Sequence, residues 1–195
     1  NVFVVGDVML DAFELFSEYA LQQNHLTNYK PFTDQSFVLL TIHRPSNTDN
    51  KESLREILSA IGEIQIPVIW PVHPRNQKRL NQMQIPDNLH LFEPASYFEM
   101  LSLLNTCSKV ITDSGGLQKE AYWAKKPCIT VREETEWVEI LRGGWNQLTG
   151  PNREKIVEAF SSDPILEWES LYGDGNASLR IVKTIKDNLN TVHER

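Results

Sequence analysis

Cysteine is scarce in this chain. Two residues, Cys107 and Cys128, stand among 195, too few for a disulfide framework and at no zinc or redox spacing. Both read as buried thiols, Cys107 on a helix and Cys128 on a strand, which points to a reducing, cytoplasmic setting. Long apolar runs are missing as well. No stretch reaches the 18 residues of a membrane-spanning helix, and no secretory leader is present, so no membrane partner is expected. Positive charge is in short supply: 19 Lys and Arg stand against 26 Asp and Glu, for a net charge of −7. That balance argues against nucleic acid as a partner, while leaving room for a local cationic pocket. Internal repeats and low-complexity segments are absent too. The sequence opens on Asn1-Val2-Phe3-Val4-Val5 without an initiator methionine. It reads as the later part of a longer protein that enters directly on a core strand.

What is there is an alternation of short apolar runs and helical patterns. After the opening run comes Gly6-Asp7, then a helix over Val8–Tyr19 with Leu10, Phe13, Leu15 and Phe16 inward. Residues Gln22–Gln35, with Pro31, read as a linker or hinge. Further strands are expected at Phe37–Ile42, Pro67–Val72, Leu89–Phe92, Val110–Thr112 and Cys128–Val131, and a short one near Gln147-Leu148. Helices are expected at Lys51–Ile64, Asn76–Met83, Tyr97–Asn105, Arg153–Ser161 and Leu179–Val192, besides one opening near Gly115. Continuous apolar strands alternating with helices indicate an α/β fold, a Rossmann-like parallel sheet with helices on both faces. A chain of this length buries roughly 70% of its unfolded surface, enough for a core without staples.

The segment richest in chemistry is Thr112-Asp113-Ser114-Gly115-Gly116-Leu117-Gln118-Lys119-Glu120-Ala121. It reads as strand, tight glycine turn, helix. The glycines allow close backbone approach and unusual dihedrals. The helix N-terminus offers free N–H groups and a positive dipole end. Ser114 adds a hydroxyl, and Glu120, about one turn on, could reach a sugar hydroxyl. A nucleotide diphosphate site is one reading, and a plain strand-to-helix turn is the other. Asp113 reads as a residue that could simply cap the turn.

Ligands of open α/β sheets bind outside the carboxyl ends of the strands. Four strands end there in polar clusters: His43-Arg44, His73-Pro74-Arg75, Asp113 to Gly116, and Arg132 to Glu136. Arg132 could offer paired donors to a phosphate or carboxylate. His43 and His73 could act as acid, base or neutral donor. No histidine, cysteine and carboxylate set has metal spacing, so no metal is expected.

Assembled in order, these segments resemble the C-terminal half of the non-hydrolysing UDP-N-acetylglucosamine 2-epimerases. The resemblance runs from Val4-Val5-Gly6-Asp7 with Asp11-Ala12, through Thr41-Ile42-His43-Arg44 and Pro71-Val72-His73-Pro74, to Thr112–Ala121. It continues at Lys126-Pro127, Arg132 and Glu134-Thr135-Glu136-Trp137, and ends at Tyr172-Gly173-Asp174-Gly175-Asn176-Ala177. It implies the C-terminal lobe of a two-lobed, glycosyltransferase-B-like fold. Residues 1–22 would be an interdomain strand and helix, 36–177 the UDP-binding lobe, and 178–195 a C-terminal helix packing on an N-terminal lobe that also carries the acid and base carboxylates. Ser114, Gly115 and Gly116 would hold the UDP diphosphate, Glu120 the ribose, with Arg132 lining the pocket. His43 would be the catalytic residue near the sugar and phosphates, with Arg44 and His73 close by.

The resemblance further implies inversion at C2 of a UDP-N-acetylhexosamine by elimination and re-addition of UDP, giving UDP-N-acetylmannosamine for surface polysaccharide. Neither a metal nor a nicotinamide cofactor is expected. The complete protein would be a homodimer, and this chain alone would not turn over. Two points depart from the commonest pattern. Pro45-Ser46-Asn47 stands where many members carry Arg-Glu-Asn or Ala-Glu-Asn, and Glu134-Thr135-Glu136-Trp137 with Gly144-Trp145-Asn146 looks like relatives acting on modified sugars. The alternatives are therefore an epimerase of a modified UDP-N-acetylhexosamine, or a UDP-sugar glycosyltransferase lobe of the same fold.

Overall fold

Unbroken apolar runs become strands in this chain because both faces of its sheet are covered. The structure, a computed structural model, describes residues 2–23, 25–30 and 32–193, with the backbone alone from 189. Asn1, Asn24, Pro31, Glu194 and Arg195, which fall within the expected opening strand, linker and C-terminal segment, lie outside the described residues. Six strands form one parallel sheet: β1 (Val38–Thr41), β2 (Val68–Pro71), β3 (Leu89–Phe92), β4 (Lys109–Thr112), β5 (Cys128–Thr130) and β6 (Asn146–Leu148). Their order is β3-β2-β1-β4-β5-β6. The chain winds outward from β1 to β3, crosses back over, and winds outward again from β4. The single reversal lies between β1 and β4, which pair in parallel from Val38↔Lys109 to Thr41↔Thr112.

The helices are α1 (Val8–Gln22), α2 (Pro45–Thr48), α3 (Lys51–Glu63), α4 (Pro74–Leu80), α5 (Tyr97–Thr106), α6 (Gly115–Trp123), α7 (Arg153–Ser161) and α8 (Ala177–His193). Side chains alternate across each strand and divide the core in two. Val38, Leu40, Ile111 and Ile129 pack against α3, α4 and α7 on one face. Leu39, Ile69, Val110 and Cys128 pack against α1, α5 and α6 on the other. Local signals fix the helix starts. Asn50 and Asn152 cap α3 and α7, and Ser96 with Glu99 forms a reciprocal capping box at α5. No helix among the described residues is long and apolar enough to cross a membrane.

Four expectations are corrected. Residues 2–5 form no strand, and Val2 and Val4 are 97% and 98% exposed. An apolar run needs a neighbouring strand to pair with, and none of the six lies beside it. In α1, Leu10 and Phe13 are buried, as expected, but Leu15 and Phe16 are exposed, and Ser17 and Ala20 take the inward positions instead. The helix packs on α5, α6 and α8. Phe16 keeps edge contacts with Tyr97 and Phe98 of α5 at the rim of that packing, while Leu15 faces outward. Cys107 is the C-cap of α5 rather than a helical residue, and both cysteines are free and buried. The segment expected as a plain linker carries two 3-10 turns, Thr27–Tyr29 and Phe32–Asp34, with Tyr29 buried.

Candidate functional site

Parallel strands place all four polar clusters at one edge of the sheet, and β2, β1, β4 and β5 are consecutive neighbours there. The centre of this row is the β1/β4 reversal, where the loops leaving adjacent strands diverge and open a crevice.

Asp113, the first residue after β4, is completely buried. Its carboxylate accepts from the His43 N–H at 3.0 Å, the Arg44 N–H at 2.9 Å and Asn47 Nδ2 at 3.0 Å. It also faces His43 Nδ1 at 3.2 Å. Asp113 is therefore more than a turn cap. It is the acceptor that ties the end of β1 to the end of β4, and its charge is met by two backbone donors, an amide and an imidazole. Asn47 carries the tie onward by donating to the Val131 carbonyl at 3.0 Å, beside Arg132. Asn47 was missed from sequence, and no local signal marks it, because its partners lie 66 and 84 residues away. With Nδ1 turned to the carboxylate, His43 leaves Nε2 for the crevice, and its side chain is half exposed.

Ser114 caps α6, accepting weakly from the Leu117 N–H at 3.4 Å. Its own N–H is taken by Thr112 Oγ1 at 2.9 Å, which also meets Thr41 Oγ1 at 2.7 Å. Gly115 and Gly116 are the first residues of α6, so their N–H groups have no acceptor within the helix. Neither glycine has a positive φ. What the glycines supply is access, and the unusual dihedrals expected of them do not occur. A Cβ at Gly115 would lie 3.8–3.9 Å from Glu136, Trp137 Nε1 and Arg132, ordinary contact within the protein, but it would cover the backbone on that side.

Arg132 is the arginine that stands beside the α6 N-terminus. Its guanidinium is largely buried and holds Glu136 by two hydrogen bonds, of 2.9 and 2.8 Å. This bond and the charge behind it hold the Glu136 carboxyl at about 2 and raise the Arg132 guanidinium above its ordinary value. In this state a carboxylate therefore stands beside the α6 N-terminus, engaged with the arginine. The loop that carries the pair is fixed by Gln118, which is fully buried, donates to the Ser114 carbonyl and accepts from Thr135 Oγ1 at 2.7 Å.

Glu120 lies on α6, part-buried, and accepts from the Tyr97 hydroxyl at 3.1 Å. Burial pushes its carboxyl above the usual range, against the opposing pull of the Tyr97 bond and Lys119. Arg44 caps the short helix α2 with its backbone. His73 caps α4, its Nδ1 accepting from the Arg75 N–H at 3.2 Å. Arg75 reaches back to the His43 carbonyl, and Asn76 to the Ile42 carbonyl at 2.8 Å. His43 and His73 line a depression of about 210 Å³ with Trp70, Pro94 and Ala95. A larger cleft of about 750 Å³, lined by residues such as Arg55, Gln65 and Asn88, opens at the opposite, amino-terminal edge of the strands and holds none of the expected residues. Among the described residues, no group of three His, Cys, Asp or Glu could hold a metal ion.

A family model described as UDP-N-acetylglucosamine 2-epimerase matches residues 1–186. A protein named UDP-N-acetylglucosamine 2-epimerase homolog, from Methanococcus maripaludis, is 42% identical over 96% of this chain and 55% of its own length. The UDP-2,3-diacetamido-2,3-dideoxy-D-glucuronate 2-epimerase of Pseudomonas aeruginosa is 40% identical over 92% of this chain and 51% of its own. A crystal structure of Methanocaldococcus jannaschii UDP-GlcNAc 2-epimerase in complex with UDP-GlcNAc and UDP superposes with a TM-score of 0.81 at 34% identity, over 94% of this chain and 54% of that one. The chain thus spans about half the length of the relatives it matches.

Proposed function

This chain belongs to the UDP-N-acetylglucosamine 2-epimerase family, and from that membership we propose that it is the nucleotide-holding C-terminal lobe of a two-lobed, non-hydrolysing UDP-N-acetylglucosamine 2-epimerase. The observation that carries the proposal is the α6 N-terminus at the β1/β4 reversal, with Ser114, two glycine N–H groups and Arg132 around one space. Diphosphate oxygens take the Gly115 and Gly116 N–H groups and the Ser114 hydroxyl, and Arg132 supplies paired charge. Glu120 takes the ribose hydroxyls. His43 acts on the reacting side, with Arg44 and His73 beside it.

In the reaction, a base removes the C2 proton of the sugar. The freed electron pair forms a C1–C2 double bond while the C1–O bond to UDP breaks, and UDP leaves with that bond's electrons. UDP then re-adds at C1 while C2 is protonated on its opposite face, which inverts C2. The balance needs no metal or nicotinamide. His43, held by Asp113, hydrogen-bonds the departing diphosphate, and the α6 amides and Arg132 stabilise its charge. The acid and base carboxylates belong to the other lobe, so the complete protein turns over and this chain alone does not. Residues 1–22 join the lobes, 36–177 hold UDP, and 178–195 pack on the other lobe. The exposed Val2, Val4, Leu179, Val182 and Ile185 support that packing. The complete enzyme is read as a cytoplasmic homodimer supplying UDP-N-acetylmannosamine for surface polysaccharide.

The test is solvent exchange. Full-length protein given UDP-N-acetylglucosamine in heavy water should yield UDP-N-acetylmannosamine with deuterium at C2, and oxygen-18 placed in the C1–O–P bridge should scramble into the other β-phosphate oxygens. Deuterium without scrambling would mean that C2 is inverted without release of UDP. The likeness to the Pseudomonas relative favours a second reading, in which the substrate is a modified UDP-N-acetylhexosamine. Offering a UDP-diacetamido-uronic acid beside the simple sugar separates the two. A glycosyltransferase lobe would instead require an acceptor before any UDP is released.

A further inference from the structure

Lys119 is a lysine on α6 that the proposed reaction does not use, and it is 3% exposed. Its ammonium meets Asp7 Oδ2 at 2.5 Å. It lies 4.1 Å from the centre of the Trp137 ring, with Trp123 and Tyr172 at 5.5 and 5.6 Å. An ammonium is taken out of water only where a carboxylate and ring faces replace the lost hydration. Each partner is itself committed. Asp7 caps α1 through the Met9 N–H at 2.8 Å, and its own N–H donates to the Tyr172 carbonyl at 2.8 Å. Trp137 donates from Nε1 to the Gly115 carbonyl at 3.0 Å and directly follows Glu136, the partner of Arg132. Tyr172 is held at φ +74°, a backbone conformation costly for an aromatic residue and kept only where its surroundings enforce it.

Four segments therefore converge on one buried ammonium: the start of α1, the first turns of α6, the loop of Arg132 and Glu136, and the Tyr172 turn. We infer that Lys119, through its pairing with Asp7, is a positioning residue for the diphosphate site. It sets where the Trp137 loop sits against Gly115, and so where the Arg132 guanidinium stands relative to the α6 N–H groups. It also links that spacing to the segment preceding α1. This inference rests on the proposed UDP site.

Asp7→Asn isolates the effect, because asparagine still caps α1 but leaves the buried ammonium without its counter-charge. Asp7→Asn/Lys119→Gln restores a neutral hydrogen-bonding pair. UDP and inorganic pyrophosphate are titrated calorimetrically into the full-length protein and each variant, with melting temperatures recorded alongside. The expected result is a five- to tenfold loss of affinity for both ligands in Asp7→Asn, with most of it recovered in the double variant. A merely structural role would lower the melting temperature and leave affinity at saturating fold unchanged, and that result overturns the inference. So does a double variant that binds as poorly as Asp7→Asn. Ser114→Ala separates the two failures. If the parent binds UDP in a Ser114-dependent manner while Asp7→Asn binds as well as the parent, the inference alone falls. If Ser114→Ala is also without effect, the UDP site itself is misplaced and both fall.

Discussion

The single side chains of the site are compromises between holding the fold and receiving a ligand. Ser114 serves both ends: its oxygen caps α6, and its proton is available to a phosphate. Ser114→Ala should weaken UDP by about 1–2 kcal/mol, roughly five- to thirtyfold in Kd by calorimetry. The same change should cost the fold about 1 kcal/mol by denaturant titration. Glu120 is the opposite case. Burial raises its carboxyl, so the folded state favours the protonated form more than the unfolded state does. Its ionisation therefore works against folding, and the penalty sets in as pH rises from the ordinary glutamate range through the raised value. Glu120→Gln should then raise the melting temperature at pH 7 while weakening UDP and sparing pyrophosphate. A parallel loss for both ligands would contradict the ribose role. In the parent protein, UDP affinity should fall with acid at a pH above the ordinary glutamate range. The Arg132-bound Glu136 cannot cause that fall, because it stays ionised down to about 2.

At the scale of elements, α6 is positioned by its ends and faces rather than by propensity. Gly115→Ala tests this. The residue has a helical φ and room for a methyl within the protein, so stability should hold or rise by about 0.5–1 kcal/mol. UDP binding should nonetheless fall at least tenfold, because the methyl covers the N–H groups. An unaffected Kd would mean the diphosphate lies elsewhere. The strands were legible in the sequence because two covered faces leave unbroken apolar runs, and β3 and α7 have the bounds their patterns predict. Legibility stopped where a partner decides the outcome. Val2–Val5 has the composition of a strand and no strand partner, Leu15 has helical spacing but faces solvent, and Phe16 meets Tyr97 and Phe98 of α5 while staying partly open to solvent. The clusters at the strand ends could be read locally, since a parallel sheet must gather them on one edge. The roles of Asp113 and Asn47 could not, since each is defined by bonds across 66 to 84 residues.

At the scale of the whole molecule, the sheet and its six covering helices close on themselves, while the start of the chain and α8 leave apolar side chains outward. Val4→Asp should leave the melting temperature of this 195-residue chain unchanged, because Val4 is 98% exposed. In the full-length protein it should lower stability by about 1–3 kcal/mol if the proposed second lobe covers it, and equal curves for both would deny that packing. The Asp113 carboxylate has a consequence in time as well as in space. His43 and Arg44 sit on a solvent-facing loop, where amide protons ordinarily exchange with water through small local openings. Their N–H groups instead end on the buried Asp113 carboxylate, just past β4 and 70 and 69 residues on. To release them, the Asp113 carboxylate must leave its buried place at the β1/β4 junction. These two loop protons should therefore exchange as slowly as those in the middle of the sheet. The His43 side of the crevice would come into being only when β1 and β4, the sheet's pairing of longest sequence separation, have met.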